Sequence, residues 1–159
     1  MYKYDASHFD EGVAKNLAEA AFWFRKAANL GHEEAQFSLS YTYEEGGVIQ
    51  DRAEALEWLR KAAEKGYPVA QRCLGEKYFY GYDGMPRDRN KAVDWYRKAA
   101  DKGDCGALYK LARMYSERED VPRDLAQAAF WYRKVVDWGC ADEDAKSWLA
   151  KYAESEERA

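Results

Sequence analysis

Prolines are scarce in this chain, three among 159 residues, and the eleven glycines are too few for a loop-dominated fold. Cysteine occurs three times, at Cys73, Cys105 and Cys140, an odd number with no short CxxC spacing. This argues against a zinc site and a dense disulfide framework, so free thiols in a reducing, cytoplasmic setting are expected. If a signal peptide has been removed, the periplasm is the alternative. No apolar run approaches the ~20 residues needed to span a bilayer, and the first residues, Met1-Tyr2-Lys3-Tyr4-Asp5, do not form a basic region followed by an apolar stretch. Membrane insertion is therefore not expected. Nor is positive charge in excess: 25 Lys and Arg against 29 Asp and Glu leave a net charge of −4 and a pI near 5.4. Such a balance has no overall field to attract phosphate backbones, which points away from nucleic acid.

Convergent catalytic groups are equally sparse. His8 and His32 lie far apart, and His32-Glu33-Glu34-Ala35-Gln36 departs from the zinc-binding His-Glu-x-x-His pattern at its last position. Nucleophile-elbow and phosphate-cradling glycine motifs are missing. None of Ser7, Ser38, Ser40, Ser116 or Ser147 is followed by a lysine three residues on. The many carboxylates fall at helix caps and solvent-facing positions. Neither catalysis nor a metal or other cofactor is expected.

What the chain does have is aromatic residues and a period. Six tryptophans and thirteen tyrosines help raise the aromatic content to 16%. Trp23, Trp58, Trp95 and Trp131 stand 35, 37 and 36 residues apart. Three residues before each is an alanine (Ala20, Ala55, Ala92, Ala128), and eight after each is a glycine (Gly31, Gly66, Gly103, Gly139). The shared blocks read AAFWFRKAANLG, ALEWLRKAAEKG, AVDWYRKAADKG and AAFWYRKVVDWG. A second block precedes the last three and recurs at the end, from Ala35, Ala70, Ala107 and Ala145. Periods of this length mean helical arrays, in which one unit cannot bury its apolar face alone.

Both blocks read as helices. In the first, Ala, Leu and Tyr recur at offsets 0, 4 and 8 with a small residue at offset 5 (Ser40, Gly75, Ala112, Ala150), one stripe at helical period. In the second, the tryptophans are expected to fill the gaps between helix pairs. Asn16, Asp51 and Asp124, each followed three residues later by Glu19, Glu54 or Gln127, mark second-helix starts as capping boxes. The recurrent glycines are expected to leave those helices in the left-handed conformation.

The pattern Ala-x3-Leu-(Gly/Ala/Ser)-x2-Tyr, then Gly-Val, then Asp-x3-Ala-x2-Trp-Tyr-x-Lys-Ala-Ala-x2-Gly resembles the Sel-one-like repeat (SLR) family, relatives of the tetratricopeptide repeats. The match runs from about Gly12 to Tyr152. Gly47-Val48 and Gly84-Met85 fit the mid-loop signature best, and Asp120-Val121 departs from it. The resemblance implies an all-α fold, a right-handed superhelix or solenoid of helix-turn-helix repeats. One domain over 1–159 is expected, with a partial repeat at 1–34, repeats at 35–69, 70–106 and 107–144, and a capping helix at 145–159. The first repeat is expected to open partway through a first helix, with Tyr4 near its Leu position. The family's cysteine-rich members carry a cysteine pair within each repeat, a pattern this sequence lacks.

The resemblance also implies that first helices line the concave surface. With offsets 0, 4 and 8 inward, about 100° per residue turns offsets 2 and 6 outward. Those positions hold Phe37, Tyr41, Arg72, Glu76, Tyr109 and Arg113, the candidate partner-binding residues, although Phe37 and Tyr109 are equally expected to pack against the next repeat's helix. Trp148, on the last helix, is expected either to cap the final apolar edge or to anchor a partner. Cys73 lies away from the Leu-Tyr stripe, so it is a candidate exposed thiol. The expected function is an adaptor or scaffold for a peptide or protein partner, the chain being monomeric or weakly self-associating through its incomplete first repeat. A bacterial immunity or regulatory protein that neutralises one enzyme is the narrower alternative, and a cell-wall hydrolase a remoter one.

Overall fold

The computed structural model describes residues 7–45, 51–117, 124–140 and 143–157, with side chains in the first stretch from residue 16 to 44. Tyr4, Gly47-Val48 and Asp120-Val121 lie outside them. The described residues form eight helices and no strands: α1 (Ser7–Asn29), α2 (Glu33–Glu45), α3 (Arg52–Lys65), α4 (Pro68–Tyr80), α5 (Arg89–Ala100), α6 (Cys105–Ser116), α7 (Leu125–Asp137) and α8 (Glu143–Glu157). They fall into two compact units, Met1–Ala70 and Gln71–Ala159.

Helix starts follow the cap chemistry. The carboxylates of Asp51, Asp88 and Asp124 each accept from the backbone N–H three residues on, at 3.0 Å. Asp104 does the same at the head of α6, to Ala107 at 2.8 Å. The reciprocal half of the expected box is replaced at Glu54, whose carboxylate accepts instead from Arg25 at 2.6 Å and from the Trp58 indole at 3.2 Å. Asn16 is a correction: it lies inside the continuous α1 rather than at a helix start. The only breaker in the preceding stretch is Gly12, and a single glycine costs about 1 kcal/mol, too little to end a helix.

At the other end, Gly31, Gly66, Gly103 and Gly139 all have positive φ, as expected. The residue after each donates back to the carbonyl four residues before the glycine: His32 to Ala27, Tyr67 to Ala62, Asp104 to Ala99 and Cys140 to Val135. This is the bond that closes a Schellman turn.

The first unit is built on Ala21, Ala28, Leu39, Tyr43, Ala55 and Trp58, where α1, α2 and α3 meet. Gln36 is buried there, and its amide donates to the Ala28 carbonyl at 3.1 Å. In the second unit Tyr96, Leu108, Leu111 and Val135 are almost wholly buried. Gly75, at the small offset-5 position, lies under the Tyr96 ring: a Cβ there would sit 2.9 Å from it.

The tryptophans correct the expected packing. Trp58 and Trp131 are buried, at 8% and 5% exposure, but Trp95 is only partly buried and Trp23 is 58% exposed. The residue after each of the last three tryptophans, Leu59, Tyr96 or Tyr132, is buried in every case. All four tryptophans instead share a lysine three residues on, with Lys26, Lys61, Lys98 and Lys134 Nζ at 4.9, 4.0, 3.9 and 5.2 Å from the respective indole rings.

The expectation of three free thiols is overturned as well. Cys105 and Cys140 form a disulfide, with Cα atoms 5.5 Å apart. Their separation of 35 residues is one repeat, so both stand just beyond turn glycines that the stacking brings together. The odd count therefore reflected one pair plus Cys73.

Candidate protein-interaction surface

The last turn of α4 carries Tyr78, Phe79 and Tyr80, after which Gly81, with φ 75°, turns the chain. The loop that follows is held firmly. Asp83, the only described non-glycine with positive φ, pairs with Lys77 at 2.5 Å, and both side chains are nearly buried. Met85 is buried, and the Asp88 N–H donates to the Tyr78 carbonyl at 2.8 Å. Arg87 Nε donates to the Phe79 carbonyl at 3.0 Å.

This scaffold displays an aromatic cluster. Phe79 meets Tyr80 edge-on at 4.8 Å, and Tyr80 stacks with Tyr82 at 5.1 Å. Tyr80 is 47% and Tyr82 55% exposed, in positions fixed from below. The guanidinium groups of Arg87 and Arg89 lie 5.9 and 5.2 Å from the Phe79 ring, and Lys110 Nζ lies 5.7 Å from that of Tyr80. Between α4 and α6 a cleft of 120 Å³ opens, lined by Phe79, Tyr80, Lys110, Arg113, Met114 and Glu117. A second cleft, of 190 Å³, lies between α7 and α8 and is lined by Leu125, Trp148, Lys151, Tyr152 and Ser155.

The residues singled out from offsets 2 and 6 take different places. Tyr41 and Arg113 are exposed, and Arg113 lines the first cleft, donating from Nε and Nη2 to one Glu117 oxygen at 3.0 and 2.9 Å. Phe37 is partly buried against Tyr67, with centroids 5.4 Å apart, and Tyr109 against Tyr132 at 6.0 Å. Arg72 and Glu76 pair at 3.5 Å within a chain of charges that runs from Asp104, 3.0 Å from Arg72, to Lys110, 3.8 Å from Glu76. Trp148 covers Tyr132 at 4.6 Å, stacks with Tyr152 at 5.4 Å and lines the second cleft.

Phe79, Tyr80 and Tyr82 escaped the repeat reading because its template stops at Tyr78, and Lys110 and Met114 because offsets 3 and 7 belong neither to the inward stripe nor to the outward positions. The run Tyr78-Phe79-Tyr80-Gly81-Tyr82 was the available signal, since no other helix end carries so many rings. Cys73 is partly buried, and burial pushes its thiol up to about 11, the opposite of what a nucleophile needs. Among the described residues no cluster of His, Cys, Asp or Glu is placed to hold a metal, and no helix is long and apolar enough to cross a membrane.

A family model for the Sel1 repeat matches residues 5–32, 33–67, 68–104 and 106–135. The chain belongs to the Sel1 repeat family. A Sel1 repeat protein from Oxalobacter formigenes is 37% identical, with a TM-score of 0.72 over 82% of this chain and 96% of that one. The protein c5321 of uropathogenic Escherichia coli, a protective antigen displaying an SLR fold, is 34% identical. It covers 92% of this chain at a TM-score of 0.73, and this chain spans 34% of its length. A Sel1 repeat protein from Klebsiella pneumoniae shares the fold, with 24% identity and a TM-score of 0.53 over 77% of this chain and 56% of that one. Among curated proteins none matches. The fold class is thus that of all-α, SLR-type repeat solenoids, and Sel1 repeat proteins are in general protein-interaction modules.

Proposed function

We propose that this Sel1 repeat chain is a non-catalytic adaptor that holds a peptide or protein partner on the face made by its first helices. The α4–α6 cleft, with exposed Tyr80 and Arg113 at its rim, is the observation that supports this reading. Tyrosine and arginine supply large, rigid contact area and forked hydrogen bonding, and they dominate binding hot spots. Tyr41 and Trp148 are further candidate contacts, whereas Phe37, Tyr109, Arg72 and Glu76 act by shaping the helices beside them. The test is affinity capture from the native organism followed by calorimetry with the purified partner. Tyr80→Ala and Arg113→Ala should each weaken binding about thirtyfold, the equivalent of ~2 kcal/mol. Unchanged affinity in both removes the assignment to this face.

A second reading, weak self-association through the first repeat, is favoured by Trp23. At its register Trp58 and Trp131 are covered, yet Trp23 is 58% exposed beside Phe22 at 54%. A concentration-independent monomer mass in light scattering excludes it. The Cys105–Cys140 disulfide supports an oxidising compartment such as the periplasm over the cytoplasm, because thiols are kept reduced in the latter. Thiol counting on protein taken from the native cell decides between them.

A further inference from the structure

We infer that the Cys105–Cys140 disulfide is a redox-operated latch on α8: a dithiol reductant opens it in the folded protein, α8 then leaves α7, and the α7–α8 cleft exists only in the oxidised form. Packing supplies the first argument. α6 buries Ala107, Leu108, Leu111, Ala112 and Met114, whereas α8, although longer, buries Ala145 alone. Leu149 stands at the stripe position where Leu39, Leu74 and Leu111 are at most 1% exposed, yet it is only partly buried. Trp148 adds a ring contact to Tyr132 at 4.6 Å. A helix with so little burial opens locally at far less cost than the core of its unit. The covalent tie falls on the turn that leads into this helix, through Cys140, and its other end is Cys105, the first residue of the well-packed α6. A firmly anchored helix thus carries the staple for a loosely held one.

Access supplies the second. Cys105 is exposed and Cys140 partly buried, and exposed disulfides are the ones that thiols reach and reduce. One thiolate of the reductant attacks the Cys105 sulfur, forming a mixed disulfide and releasing Cys140, which takes up a proton. The reductant's second thiolate then displaces Cys105, which is protonated in turn, and the reductant departs as its own disulfide. Two electrons and two protons have passed to the protein. Cys73 stays outside this exchange, partly buried on α4 with its thiol pushed up to about 11. Once the bond is open, Tyr96, Leu108, Leu111 and Val135 still hold α5, α6 and α7 together, so the loss falls on the turn and on α8. Trp148 and Tyr152 then part from Leu125, and the cleft they line with it is lost.

The experiment is hydrogen exchange read by mass spectrometry on the full-length chain, oxidised and after dithiothreitol under native conditions, with thiols counted after acid quench and unfolding. The count should rise from one to three per chain. Amides of α8 should then exchange at least about tenfold faster, while those of residues 108–114 in α6, and of α2 and α3, change less than about twofold. Oxidised glutathione should restore the protection. Cys105→Ser with Cys140→Ser should match the reduced protein whether or not dithiothreitol is present, and Cys73→Ser should match the wild type in both states. Should the double variant fail to fold, the reduced wild-type chain carries the same comparison. A thiol count that stays at one, α8 protection unmoved by reduction, or protection lost equally from α5 to α8 each overturns the inference, the last because the bond then holds the whole unit rather than one helix.

Discussion

Arg97 donates from Nη2 to the Tyr115 hydroxyl at 2.7 Å, joining α5 to the last turn of α6. The same bond joins Arg25 to Tyr43, again eighteen residues apart. Each arginine stands two residues after a repeat tryptophan, and each tyrosine ends a first-helix stripe, so the same clasp, from one repeat's second helix to the next repeat's first, occurs once within each compact unit. Because the bond lies at the surface, its net worth is modest. A double-mutant cycle with Arg97→Ala and Tyr115→Phe should give a coupling of roughly 0.5 to 1 kcal/mol in urea unfolding. Coupling indistinguishable from zero makes the clasp a geometric coincidence of the repeat.

Burial divides the four tryptophans, and stability should divide with it. Trp131→Ala and Trp58→Ala leave large cavities and should each cost about 3 to 5 kcal/mol. Trp23→Ala, at 58% exposure, should cost less than about 1 kcal/mol. Equal losses at Trp23 and Trp131, read from urea midpoints, contradict the packing described.

How far the sequence reached depends on which physical rule governed each residue. Caps and turn glycines were legible because local backbone chemistry decides them: Asp51 and Asp124 cap, and all four repeat glycines adopt positive φ. The depth of each tryptophan was not, because it depends on what the neighbouring repeat covers, and period alone places a residue on a face without saying whether the face has a partner. Phe37 and Tyr109 show the same limit. Helical projection turns them outward, but each lies against a ring on the neighbouring second helix, Tyr109 against Tyr132 and Phe37 against Tyr67 just past the end of α3. The disulfide was hidden in plain view: a separation of 35 residues looks remote along the chain and equals one repeat in the fold.

The cysteines give two predictions with opposite signs of reactivity. Cutting the disulfide by Cys105→Ser with Cys140→Ser should cost about 3 to 4 kcal/mol, from the loop entropy released to the unfolded chain. A urea midpoint unmoved by dithiothreitol shows that the bond does not form in solution.

Cys73 should resist thiol reagents. With its pKa raised by burial from 9.0 to about 11, its thiolate at pH 8 is about a hundredfold rarer than that of a free cysteine, and labelling should slow accordingly. The sign of the stability effect follows from the same shift. The buried neutral thiol contributes fully below pH 9.0, and this contribution is lost as pH rises toward about 11, because the unfolded chain ionises first. Cys73→Ala should therefore flatten the decline in stability between those values. An unchanged alkaline profile removes Cys73 as its source.

Gly103 and Gly139 separate backbone cost from packing cost. Both have positive φ, 82° and 70°, so alanine at either position should cost about 1 kcal/mol in backbone strain. At Gly139 no described residue lies within 4 Å of an added Cβ, whereas at Gly103 the Trp138 ring lies 2.0 Å away. Trp138 stands immediately before Gly139, one repeat on, and its indole lies across the earlier glycine. Lys65 does the same across Gly31, donating to its carbonyl at 2.7 Å. Since Trp138 is 54% exposed, its ring can swing aside, and what is lost is the contact itself. Gly103→Ala should then exceed Gly139→Ala by roughly 1 kcal/mol, in keeping with losing part of an aromatic ring's burial. The excess should vanish when Trp138→Ala is already present. If it persists in that background, the clash is with backbone, and the indole is not what packs against Gly103.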